Sequence, residues 1–73
     1  MDRFRIKTYS KSELATLYFP TDSNTHISVN HLMSWINRNT TLLAALYTSG
    51  YRKSSKFFTP RQVRLIVEYL GEP

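Results

Sequence analysis

The chain contains no cysteine, so no disulfide framework can hold it, and burial with good local structure must do that work. Glycine is almost missing as well: with only Gly50 and Gly71, no glycine-rich phosphate loop can be built. Long hydrophobic runs are lacking. The longest, Leu42 to Tyr47, is far too short to span a bilayer. Acidic residues are scarce, at five Asp and Glu against ten Lys and Arg. His26 and His31 are the only histidines, and their spacing is not one that places two ligands on one helical face. With Asp22 as the one acid nearby, no structural metal or other cofactor is expected. Met1-Asp2-Arg3 leads into alternating charge and not into the apolar stretch of a signal peptide, so the chain is read as cytoplasmic and not membrane-bound.

What remains is a globular composition, 41% hydrophobic and 14% aromatic, in 73 residues. That length makes one domain, 1–73, with a stability of about 4–11 kcal/mol. The net charge of +5 is unevenly placed. Arg3, Arg5, Lys7 and Lys11 crowd the start, while Arg52, Lys53, Lys56, Arg61 and Arg64 form a second cluster with no acid among them. Between Leu14 and Tyr51 the only formal charges are Asp22 and Arg38. Two basic arms around a neutral centre suit a polyanion.

The pattern along the chain predicts a mainly α, compact four-helix domain. Arg3 to Tyr9 alternates, with Phe4 and Ile6 on one side, and reads as a short strand or an extended arm (1–9). Ser10-Lys11-Ser12-Glu13 is a capping box, followed by Leu14, Leu17 and Tyr18 on one stripe; it opens a helix over 11–19 that Pro20 ends. Ser28 is taken as the cap of a second helix over 29–38, with Val29, Leu32, Met33 and Ile36 inward. Asn39 or Thr40 starts a third helix, 41–48, which carries Leu42, Leu43, Leu46 and Tyr47 and closes at Gly50, with Tyr51 folding back on Leu46. Thr59-Pro60-Arg61-Gln62 combines a cap, a proline at the first helical position and a box partner. It starts a fourth helix over 60–70, with Val63, Ile66, Val67 and Leu70 inward. A short β pairing between Arg3–Tyr9 and Lys56–Phe58 is expected beside these helices.

Asp22, Ser23, His26, Ser28 and His31 place the residue types of a hydrolytic triad close together, but a polar loop on so small a domain offers no water-excluding pocket. Binding is therefore expected, not catalysis. On the polar side of the second helix, Asn30, His31, Ser34, Asn37 and Arg38 fall together at 100° per residue. Of these, Asn30, Ser34, Asn37 and Arg38 have the chemistry to read base edges. Arg52, Lys53, Lys56 and Arg61 are the candidate phosphate contacts, with Arg3, Arg5 and Lys7 as an accessory arm. A tyrosine or phenylalanine exposed beside these cations would also suit unpaired RNA bases. The competing reading is a protein–protein or homodimer interface built on Trp35, Leu65 and Tyr69, with the charge serving solubility.

The motif order resembles the winged helix-turn-helix of excisionases and of the mercury-resistance-regulator class. The residues that carry it are Tyr9-Ser10-Lys11-Ser12-Glu13-Leu14-Ala15, Leu32-Met33-Ser34-Trp35, Gly50-Tyr51-Arg52 and Phe58-Thr59-Pro60. That resemblance implies a DNA-binding regulator or accessory factor. The chain departs from it in a longer loop before the second helix and in the additional helix at 41–48. As a whole it is similar to a family of small basic bacterial proteins defined only as a domain of unknown function. The stretches that carry this likeness are Tyr9 to Pro20, Trp35 to Asn39, Gly50 to Lys53, and Thr59 to Val63 through Glu68 to Pro73.

Overall fold

A computed structural model describes residues 4–73. The elements in order are β1 (Tyr9–Ser10), α1 (Lys11–Tyr18), α2 (Thr25–Arg38), α3 (Thr40–Thr48), β2 (Phe57–Phe58) and α4 (Pro60–Leu70). The fold is mainly α, as the sequence patterning predicts. The helices surround Leu14, Ala15, Leu32, Ile36, Leu42, Leu46, Val63 and Ile66, all buried, with Tyr9, Tyr51 and Phe58 closing the core from the strand side.

Local chemistry places the helix ends. Ser10 Oγ accepts from the Glu13 amide at 3.0 Å, and Glu13 Oε1 accepts from the Ser10 amide at 3.1 Å. Thr59 and Gln62 repeat this box at the start of α4, where Pro60 lacks only an amide that the first turn would leave unpaired. Gly50, at φ 98°, lets the Tyr51 amide turn back and donate to Leu46 O at 3.0 Å.

Four expectations are corrected. Helix two begins at Thr25 and not after Ser28: Asn24 Oδ1 accepts from the Ile27 amide at 2.9 Å. Ser28 is buried inside the helix, and its hydroxyl donates to Phe19 O at 3.2 Å and to Asn24 O at 3.3 Å, tying α2 to the end of α1. Helix three starts one residue early, because Asn39 both ends α2 and caps α3 through Oδ1 and the Leu42 amide. Leu17 is 45% exposed, since α1 turns Leu14 and Ala15 toward α2.

Of the alternating stretch from Phe4 to Tyr9 only Tyr9 is paired, and Ser10 adds a second residue to the strand. Tyr9 faces Phe58 and Ser10 faces Phe57 in an antiparallel ladder. The partner strand ends at Phe58, because Thr59 and Pro60 already cap and open α4. Ile6 is therefore exposed, while Phe4 stacks on the Tyr9 ring at 5.4 Å. Tyr9 Oη donates to Arg5 O at 2.8 Å, so this segment folds back on Tyr9 and is no free arm. Arg3 lies outside the described residues.

Tyr18 joins the two ends of the helical layer by donating its hydroxyl to Gly71 O. Burial, helped by the carboxylate of Glu72, pushes its phenol up to about 12.

Candidate nucleic-acid interface

The segment after Gly50 is built as a tight turn. The Ser55 amide donates to Arg52 O at 2.9 Å, and Ser55 Oγ accepts from the Arg52 amide at 3.1 Å. Tyr51 anchors its near end: the ring is buried and stacks on Phe58 at 5.5 Å. The far end is fixed by the sheet, where the Lys11 amide donates to Lys56 O at 2.9 Å. Lys11 then crosses the turn. Its Nζ lies 3.2 Å from Lys53 O and 5.0 Å from the centre of the Tyr51 ring. Residues 52–56 thus form a stapled turn and no hairpin, and the strand that follows pairs with distant β1.

This arrangement opens a groove of about 690 Å³ between the turn, the start of α1 and the first turn of α2. Lys11, Lys53 and Lys56 stand on its walls, with hydroxyls from Ser12 and Ser54 and the imidazole of His26. Val29 and Phe57 supply its apolar surface. No acidic residue lines it. Among the described residues the one contact at ion-pair distance is His31 Nδ1 to Asp22 Oδ2 at 3.2 Å, so no Lys or Arg has a carboxylate partner there. With no internal carboxylate to pair with, these cations are left to solvent or to an external anion.

Of the eight residues expected to touch nucleic acid, Lys53 and Lys56 meet in this groove. Arg52 is exposed on the same turn, outside the groove lining. Arg61 is exposed on the first turn of α4, beyond β2. Asn30, Asn37 and Arg38 are exposed along α2 and Ser34 is half-buried; among the described residues none of their side chains is held by a hydrogen bond. That stripe begins one helical turn beyond His26, the α2 residue that lines the groove.

The residues of the competing apolar patch are not gathered in the same way. Trp35 is half-exposed and packs edge-on against Phe19 at 4.9 Å, while Phe19 stacks on His31 at 3.7 Å. Trp35 borders a shallow hollow with Arg38, Asn39, Thr40 and Leu70, to which neither Leu65 nor Tyr69 contributes. Leu65 is half-buried against the core, and Tyr69 is exposed. The triad-type residues are equally scattered in role. Ser28 is occupied with backbone carbonyls, His31 with Asp22 and Phe19, and His26 faces the groove.

Lys11 and Phe57 were not singled out as site residues from the sequence, and His26 was weighed there only as a triad-type or metal-ligating residue. Lys11 belongs to the N-terminal charge cluster there. Only the Tyr9–Phe58 register brings it beside Lys56, across a long separation in the chain. The expected pairing of the N-terminal segment with Lys56–Phe58 held the signal for it.

A family model described as a domain of unknown function (DUF4248) matches residues 5–73. The chain belongs to this family. The match runs through β1, the turn and α4, so the groove is part of the DUF4248 domain itself and not an appendage. No match was found among curated proteins or solved structures. Among the described residues no helix is long and apolar enough to cross a membrane.

Proposed function

We propose that the chain is a cytoplasmic, non-enzymatic DNA-binding module, a small regulator or accessory factor. The observation that carries this reading is the groove lined by Lys11, Lys53 and Lys56, without a carboxylate on its walls. Cations with no internal carboxylate partner release the counterions of a polyanion at no cost in broken ion pairs. Arg52 extends the same surface, and Arg61 adds a flanking contact. In this reading the turn at 52–56, not a hairpin wing, grips phosphates. Asn30, Ser34, Asn37 and Arg38 approach base edges from the adjoining helix.

The test is the double substitution Lys53→Glu with Lys56→Glu. Both side chains are exposed, so helicity is expected to remain. Affinity for labelled DNA is expected to fall on every sequence tried, because phosphate contacts carry no sequence information. Unchanged affinity in a folded variant overturns the proposal.

A further inference from the structure

Phe57 is unaccounted for by the fold. It is 59% exposed, the most exposed of the large hydrophobic side chains. Strand alternation sends Phe58 into the core and Phe57 to the opposite face, where the ladder sets it against Ser10. Any polar or β-branched residue would serve the strand there. Among the described residues no aromatic ring stacks on it, although Phe4, Tyr9, Tyr18, Phe19, Tyr47, Tyr51 and Phe58 all have ring partners. It lines the basic groove instead, together with Val29, Lys53 and Lys56.

We infer that this groove takes an unpaired nucleobase on the face of Phe57, so the preferred ligand is single-stranded DNA. The inference rests on the DNA-binding reading and adds to it the form of the nucleic acid. A π-face flanked by cations is the arrangement that binds a single strand without regard to sequence: the base stacks and the adjoining phosphates meet the ammonium groups. In a duplex every base is stacked and paired, and its face is closed to such a ring. The groove has the volume of a small-ligand cleft, within the span of about 300–1,000 Å³, and so admits a base and its sugar. His26 stands on the wall formed by α2, within the same groove, as a hydrogen-bonding group for a base edge. Lys11 is held by Lys53 O and over Tyr51, which keeps the wall that carries Lys53 in place before ligand arrives.

The experiment compares three labelled probes by fluorescence anisotropy at low salt: oligothymidylate, an abasic oligomer of the same length, and a duplex. The wild-type chain is expected to bind oligothymidylate more tightly than either of the others. Phe57→Ala is expected to lower oligothymidylate affinity about 5- to 150-fold, the span of one base–aromatic stack, while leaving the abasic oligomer within about 2-fold. Phe57→Trp, which keeps a π-face, should retain the preference. Equal binding of the thymidylate and abasic strands, or no effect of Phe57→Ala, overturns the stacking inference. In that case Lys53→Glu with Lys56→Glu still decides the DNA reading, because loss of affinity in that variant keeps phosphate binding intact as an account. Failure of all three probes to bind overturns both.

Discussion

Phe57 and Phe58 are neighbours in sequence and opposites in structure, and truncating each in turn tests the strand assignment on which the groove depends. Phe58 is fully buried, stacks on Tyr51 and faces Tyr9 across the ladder. An aromatic side chain of this kind buries about 150–250 Å², and phenylalanine-to-alanine changes in cores cost about 3–5 kcal/mol once the residual cavity is included. Against a total of about 4–11 kcal/mol for a chain of this length, Phe58→Ala removes roughly a quarter or more of the stability. In guanidinium chloride, with a slope of about 2 kcal/mol per molar for so small a domain, the midpoint should fall by about 1.5–2.5 M. Phe57→Ala, at an exposed position, should move it by less than about 0.3 M. Circular dichroism at the helical minimum reads both. Equal shifts for the two variants, or a larger shift for Phe57→Ala, would refute the register that turns Phe58 inward and places Phe57 in the groove.

Other expectations follow from single contacts. Thr59→Ala removes the cap and half of the box at α4 and should cost about 1 kcal/mol in chemical denaturation, with Thr59→Ser restoring it. Gly50→Ala meets no steric obstacle but must hold φ at 98°, so a loss of about 1–2 kcal/mol reflects the backbone alone, and an unchanged melting temperature would deny the left-handed turn. Tyr18 has a phenol raised to about 12 in the fold, against the ordinary value of 10.0 in the unfolded chain. Below pH 10 both states keep the proton. From there toward pH 12 the unfolded chain loses it first, so stability falls as pH rises; with the ring only half-buried the loss is about 1 kcal/mol. Denaturation of the wild type and Tyr18→Phe across that window should show the extra loss only in the wild type. Leu65→Asp places a charge against the core and should lower the melting temperature at every protein concentration; a change confined to sedimentation behaviour would instead make Leu65 an interface residue.

Much of the architecture was legible because short-range chemistry fixes it. The capping boxes at Ser10 and Thr59, with Pro60 at the first helical position, set the starts of α1 and α4, and the turn at Gly50 closes α3, all through groups within five residues. The start of α2 was misread for an instructive reason. Ser28 has the chemistry of a cap, but its hydroxyl bonds the end of α1, a partner that only tertiary structure supplies. Leu17 likewise sits on the helical stripe, yet α1 meets its neighbour through Leu14 and Ala15. The basic turn was visible as a run of charge. Its conversion into a groove was not, because that needs Lys11 and Lys56 to meet through a two-residue sheet joining the start of the chain to the segment before α4. Charge clusters separated in sequence become one surface only through such long-range pairing.

The central claim, that this surface binds the phosphates of DNA, is tested most directly by the salt dependence of affinity for a labelled DNA of mixed sequence. With Lys11, Lys53, Lys56 and Arg52 each neutralising a phosphate, the slope of log K against log salt should be about −2.8 for a single strand and −3.6 for a duplex. Affinity should then drop about 50- to 150-fold between 50 and 200 mM salt. Binding that is flat across that range, or no binding at the lower salt, contradicts the account.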